Sequence, residues 1–162
     1  DQKEALTMSD RIAVINDGEL KQLGSPNEIY SNPSNAFIAD FIGESSLLPT
    51  KTIDNKAYLG QSEILVNKTI TKDGEFLLVI RPEKLFIADG KEKDTNIFTG
   101  TITESIFQGE SQVVVIKLDP SNFGDQLLRM RLPNGTSIGA NVPKVGEEIS
   151  VGLRMTDSFL VE

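Results

Sequence analysis

Apolar and polar residues follow one rhythm over the first forty-odd positions of the chain and another beyond them. Ala5, Met8 and Ile12 recur at helical spacing, which predicts a short first helix with an apolar stripe. Ile12-Ala13-Val14-Ile15 is then a compact apolar run suited to a buried strand, and Glu19 to Gly24 reads as its returning partner. Asn16-Asp17-Gly18 stands between them, and Asp-Gly is a strong hairpin signal because both central positions of a type I′ turn need positive φ. Ser25-Pro26-Asn27-Glu28 predicts a second helix: Ser25 caps it, Pro26 suits its first position, and Glu28 reaches back to complete a capping box. Asn32-Pro33 ends that helix, since a proline disfavours helical backbone in the residue before it. A third helix from Ser34 or Asn35 pairs Phe37 with Phe41 and Ile38 with Ile42, and Gly43 is placed to terminate it.

From about Leu47 the period falls to two. Phe76 to Ile80 is an apolar run before Arg81-Pro82. Phe98, Gly100, Ile102 and Ile106 are expected to share one face, with Thr99, Thr101, Thr103 and Ser105 on the other. Val114, Ile116 and Leu118 alternate with Val113, Val115 and Lys117; Leu128, Met130 and Leu132 with Arg129 and Arg131; Ile149, Val151, Leu153 and Met155 with Ser150, Gly152 and Arg154. Turn signals separate the runs: Asp73-Gly74, Asp89-Gly90, Asn134-Gly135 and Val145-Gly146. Short strands at this spacing, with no long helix between them, predict a mainly β fold, a small sandwich or barrel behind a short α+β segment. The charged stretch from Asp89 to Asn96 reads as a surface loop.

Composition narrows the chemistry. The chain has 162 residues, 38% of them hydrophobic, which suits one domain or one domain with a substantial appendage. No stretch approaches the roughly 18–20 apolar residues of a membrane-spanning helix. It contains no cysteine and no histidine, so disulfides, thiolate zinc sites, cysteine nucleophiles and imidazole acid–base catalysis are excluded. The net charge is −8, from 16 Lys+Arg and 24 Asp+Glu, which disfavours binding along a phosphate backbone. Residues 1–46 carry three basic and eight acidic groups, so this segment is the more acidic for its size. The opening Asp1-Gln2-Lys3-Glu4, with no initiator Met or signal peptide, reads as a piece of something longer.

Each candidate site has a plainer rival. Asn67-Lys68-Thr69 and Asn134-Gly135-Thr136 match a glycosylation acceptor, but turn chemistry explains both. Asp89 to Asn96 resembles a calcium loop, yet Gly100 stands where a bidentate Glu is needed. Neither G-x-x-x-x-G-K-[ST] nor G-x-G-x-x-G occurs. Glu147-Glu148 reads as a solvent-facing pair, not as an acid/base couple. An oligonucleotide-binding barrel would need a basic groove with exposed aromatics, whereas the chain has no Trp and most of its Phe residues, such as Phe37, Phe41, Phe76 and Phe98, fall in core patterns. Arg81-Pro82-Glu83 reads as a turn in which Pro82 ends the pairing and Arg81 and Glu83 form a local ion pair.

Taken as a whole, Asp1-Gln2-x-Glu4-Ala5-Leu6-Thr7-Met8-Ser9-Asp10-Arg11-Ile12, with Asn16-Asp17-Gly18, closely resembles the end of the nucleotide-binding domain in ABC importer ATPases. Leu23-Gly24-Ser25-Pro26-x-Glu28-Ile29-Tyr30-x-x-Pro33 and Phe37-Ile38-Ala39-x-Phe41-Ile42-Gly43 continue the resemblance. It is to the subgroup whose ATPase subunits carry a C-terminal regulatory domain. Ile80-Arg81-Pro82-Glu83-Lys84-Leu85 is similar to the R-P-E segment of that domain, and Phe98-Thr99-Gly100 through Leu118, with Gly109 in mid-hairpin, to its transport-associated OB (TOBE) strands.

The resemblance implies that residues 1–46 are the C-terminal end of a RecA-like nucleotide-binding domain and residues 47–162 an OB-type (TOBE) regulatory barrel. It implies a parent subunit that uses ATP and Mg, works as a homodimer through its regulatory domains, and sits under membrane-spanning permease subunits at the cytoplasmic face of a bacterial membrane. The family's switch histidine is expected just before Asp1, so no catalytic, cofactor or metal residue is expected in this chain. Asp1, Gln2, Glu4, Asp10, Arg11, Gly18, Gly24, Pro26, Gly43, Arg81, Pro82, Glu83 and Gly109 are family-motif positions, read as structural. Phe41-Ile42-Gly43-Glu44-Ser45-Ser46-Leu47-Leu48-Pro49 is more similar to polyamine (spermidine/putrescine) importer ATPases than to the sugar ones. Sugar, glycerol-phosphate, iron or sulfate import stays as an alternative, as does an autonomous OB-type module for oligosaccharide or single-stranded nucleic acid. No nucleic-acid partner is expected; a weakly bound cationic ligand is, from the negative balance. The apolar faces of the first segment would normally pack on a sheet that precedes it or on the barrel.

Overall fold

The computed structural model describes residues 1–134 and 143–162; Gly135 and Thr136, and with them the second acceptor motif and the Asn134-Gly135 turn, lie outside the described residues. A tail of short elements comes first: α1 (Gln2–Met8), a hairpin of β1 (Ile12–Asn16) and β2 (Glu19–Gly24), α2 (Pro26–Ser31) and α3 (Ala36–Phe41). Asp17 and Gly18 both take positive φ at the hairpin turn. Ser25 and Glu28 form a reciprocal capping box on α2, with Pro26 at its first position. The stripe expected along α1 is interrupted. The helix stops at Met8, which is 82% exposed, and Ile12 belongs to β1 instead.

Among the described residues ten strands follow: β3 (Ser46–Ile53), β4 (Lys56–Leu59), β5 (Ser62–Ile64), β6 (Gly74–Ile80), β7 (Phe86–Ile87), β8 (Thr95–Phe107), β9 (Ser111–Leu118), β10 (Leu127–Pro133), β11 (Glu148–Arg154) and β12 (Phe159–Val161). They form two antiparallel sheets, ordered β12-β6-β3-β4-β5 and β10-β9-β8-β11-β7. The inner faces meet in one core. Leu48, Leu59, Leu78 and Ile80 of the first sheet pack with Phe98, Ile116, Leu128 and Leu153 of the second. Each such side chain, removed from water, stabilises the fold by about 1.5–3 kcal/mol. Phe98 also meets Phe123, in the short helix α4 (Pro120–Phe123), edge to face at 5.5 Å.

Two local features bend the simple alternation. The β8–β9 pairing shifts register between Ile102 and Glu104. A bulge adds one residue and reverses which face the following side chains occupy. Ile102 is therefore buried while Ile106 is 39% exposed, correcting the expectation that they share a face. Upstream of the bulge, a Cβ on Gly100 would lie 2.4 Å from the Lys117 carbonyl oxygen, so only glycine permits the close approach of β8 and β9 there.

The charged stretch before β8 also departs from expectation at its end. Asn96 is not in a surface loop but buried in β8. Its side-chain amide donates to the Leu65 carbonyl and to Ser158 Oγ, and its Oδ1 accepts from the Leu65 amide at 2.7 Å. With all three bonds made, the desolvation cost of the buried amide is offset and the chain after β5 is pinned to both sheets.

Candidate functional site

The residues that join the tail to the barrel converge on α3. This six-residue helix presents three faces. Ile38 and Ile42 pack with Ile12, Val14 and Ile29 of the tail. Ala36 and Ala39 pack on Val79 and Val161 of the first sheet, and their small side chains let the helix lie close to it. Phe37 and Phe41 stack on each other outside, centroids 5.4 Å apart, and stay 37% and 45% exposed.

Arg81 leaves the end of β6 and enters the space beneath this helix, where it is only 3% exposed. Its Nη2 donates to the Tyr30 carbonyl at 2.9 Å. Its Nη1 reaches the carbonyls of Ala39 and Ile42 at 3.0 and 2.6 Å and Ser45 Oγ at 2.5 Å. Tyr30 lies in the last turn of α2, and Ala39 and Ile42 close α3. These are the carbonyls that helix ends leave without partners and where partial negative charge gathers. Neither helix has a basic residue in its own last turn. One guanidinium from the barrel therefore serves both, and its planar fork suits several acceptors as a point charge would not.

The surroundings are fitted to it. The Tyr30 ring lies under the guanidinium, 4.2 Å from ring centre to Cζ. The Tyr30 hydroxyl donates to the Glu83 carboxylate. Burial pushes the Tyr30 pKa up to about 12, helped by that hydrogen bond and by the charge of Glu83. Burial also lowers the Arg81 pKa, against the charges of Tyr30 and Glu83. Gly43 closes the pocket with φ +86; a Cβ there would lie 3.0 Å from the Tyr30 ring and 3.2 Å from Nη1. Pro82 opens a 3-10 turn, Pro82–Lys84, that carries Glu83 back to Tyr30. An outer ion pair from Glu44 to Arg131, at 2.9 Å, adds little because both groups are solvated. The local Arg81–Glu83 ion pair expected from the sequence is not among the ion pairs of the described residues. Glu83 bonds Tyr30 instead, and Arg81 Nε has no partner there.

Of the motif positions, the fold brings together Gly43, Arg81, Pro82 and Glu83. The others lie elsewhere. Asp1 caps α1 in a box with Glu4, and Gln2 is the first residue of that helix. Asp10 and Arg11 are exposed before β1, Gly18 turns the first hairpin, Gly24 ends β2 against Glu28, and Gly109 turns the β8–β9 hairpin with φ +77. Tyr30 and Ser45 stand in stretches that carry the resemblance, but the sequence assigns neither a role. A half-apolar tyrosine in the last turn before Asn32-Pro33 was the available signal. A cleft of about 510 Å³ opens nearby, where the Asn32–Ser34 turn faces the chain from Val66 to Lys72.

The side chains of Asp1, Ser25, Asn35 and Asp119 accept from first-turn N–H groups of α1, α2, α3 and α4, so a capping oxygen, a carboxylate at α1 and α4, stands where a phosphate oxygen would bind. No group of three or more acidic side chains suited to a metal ion occurs among the described residues.

A family model for the TOBE domain matches residues 78–161, just over half of the chain, from within β6 to the end of β12. The chain belongs to the TOBE-domain family. Arg81, Pro82 and Glu83 thus lie inside the TOBE match, while the carbonyls they serve lie before it. Over its full length the chain is 30% identical to the spermidine/putrescine import ATP-binding protein PotA of Thermotoga maritima, covering 46% of that protein. It is 36% identical to PotA of Borreliella afzelii over 97% of this chain and 42% of that one, and 33% identical to PotA of Clostridium novyi over 97% and 44%. The chain thus spans less than half the length of these relatives. The fold is similar to that of the cytoplasmic molybdate-binding protein ModG, at a TM-score of 0.53 and 15% identity over 72% of this chain and 92% of that one, which supports an OB-type architecture.

Proposed function

We propose that the chain is the C-terminal, regulatory part of the ATP-binding subunit of an ABC importer for polyamines such as spermidine and putrescine. Residues 1–46 form the end of the nucleotide-binding domain and residues 47–162 the regulatory barrel. The observation that carries this reading is that the match to spermidine/putrescine import ATP-binding proteins, at 30–36% identity overall, covers 97–100% of the chain and so takes in both tail and barrel. ATP and Mg are bound and used by other parts of the subunit, and this chain does neither. The subunit pairs with a second copy through its barrels and works under permease subunits on the cytoplasmic side of a bacterial membrane. No helix among the described residues is long and apolar enough to cross the membrane. The motif residues act structurally, setting helix ends and turns.

The exposed apolar side chains of the tail, Met8, Ile15, Leu20, Leu23, Phe37 and Phe41, support this reading, because a nucleotide-binding core would cover them. The test is uptake. The complete reading frame with its permease genes, placed in a bacterium that lacks polyamine uptake, is expected to restore accumulation of labelled spermidine. Accumulation of a sugar, glycerol phosphate, iron or sulfate instead would overturn the polyamine assignment, and no ATP-dependent uptake of any solute would overturn the importer. A second reading, that acidic loops of the barrel sense the polycation, is favoured by the negative balance, −8 over the chain and −3 over residues 47–162 (13 basic and 16 acidic). Spermidine titrated into the chain at moderate salt should give saturable heat; none at millimolar ligand would reject it.

A further inference from the structure

The guanidinium of Arg81 has an asymmetric set of partners. Its backbone belongs to the barrel, at the end of β6, whereas every acceptor of its hydrogen bonds, from Tyr30 to Ser45, belongs to the segment before β3. The stacked ring is from the tail as well. No carboxylate lies within ion-pair distance of Arg81 among the described residues, so its charge is offset by helix-end carbonyls and by the nearby Glu83, which is itself held by Tyr30.

A buried cation with such partners cannot tolerate partial separation. If the tail moved away by an ångström or two, several charge-assisted bonds would be lost together and the charge left desolvated. The alternative arrangement is full release, with water taking the place of the carbonyls. We propose that Arg81 is the positioning residue that locks tail and barrel into one register, as an all-or-none latch with Tyr30, Gly43, Ser45 and Glu83 as its seat. The consequence for ATP turnover, that a barrel displaced by a ligand or partner acts on the nucleotide-binding domain through this latch, rests on the function proposed above. The latch itself does not.

Amide hydrogen exchange of the whole chain tests it, comparing the native protein with Arg81→Met and Arg81→Lys. In Arg81→Met the hydrogen-bonded amides at the ends of α2 and α3, Asn32 and Ile42, are expected to exchange about tenfold faster, while those of β8, β9 and β11 keep their native rates. Arg81→Lys, a point charge without the fork, should restore part of the protection. Equal acceleration in tail and barrel would overturn the proposal, because Arg81 would then only support global stability. Unchanged tail amides, or full protection in Arg81→Lys, would overturn it too, since neither the docking nor the fork would matter. Should Arg81→Met fail to fold, Tyr30→Leu, which removes the ring and the bond to Glu83, is read by the same criterion. Uptake plays no part in this readout, so failure of the latch and failure of the importer assignment are distinguishable.

Discussion

Tail and barrel bury their apolar residues to different degrees. Among the described residues, nineteen buried side chains form one core between the barrel's sheets, while the main cluster of the tail has five and leaves a stacked pair of phenylalanines outside. The barrel has the ingredients of a unit with its own core. The tail leans on it through Ala36 and Ala39 of α3 and through Arg81. Local patterning can thus be equally good in two segments while only one encloses a core, because a stripe or a hairpin needs a second surface to cover it.

The largest effect that would probe this difference is in the barrel. Phe98→Ala empties the centre of the core and is expected to cost about 3–5 kcal/mol, measured as a lowered denaturant midpoint for the whole chain. Ile38→Ala removes a fully buried side chain from the tail cluster and should cost about 2–4 kcal/mol within the tail, with the barrel's unfolding midpoint little changed. If Ile38→Ala lowered the barrel's midpoint as far as Phe98→Ala does, the two regions would be one cooperative unit. The smallest effect is a pH dependence at the start of α2. Hydrogen bonds from the Ser25 amide and hydroxyl hold the Glu28 carboxyl below its ordinary range. A carboxylate lowered on folding stabilises above its unfolded pKa, and that contribution disappears as pH falls through the folded value. The α2 start should therefore fray in acid, visible as a shift of the Ser25 amide resonance that Glu28→Gln abolishes.

Legibility follows the same division. The tail is legible almost element by element, because its signals are local: Asp17-Gly18 for the turn, Ser25-Pro26-x-Glu28 for the cap, Asn35 before α3. The long strands of the barrel were visible in their alternation. The β3–β4–β5 meander was not, although Asp54 and Asn55, both at positive φ, are turn residues of the expected kind. The bulge after Ile102 was hidden, since register depends on the partner strand and not on the strand itself. At the candidate site, the sequence of Arg81-Pro82-Glu83 by itself reads as a local turn. Its partners lie 36 to 51 residues earlier in the chain, and most are backbone carbonyls, which no side-chain pattern announces.

Helix α3 carries a consequence for how this molecule can change length. Successive residues of a helix are turned by about 100°, so one residue inserted into it would rotate everything beyond the insertion by that angle. Ile42 would swing off the tail cluster, and the carbonyls at its end would turn from Arg81. A surface loop such as the one before β8 absorbs an added residue by bulging outward. These six residues act as a toothed wheel between two surfaces, and a single extra tooth disengages both.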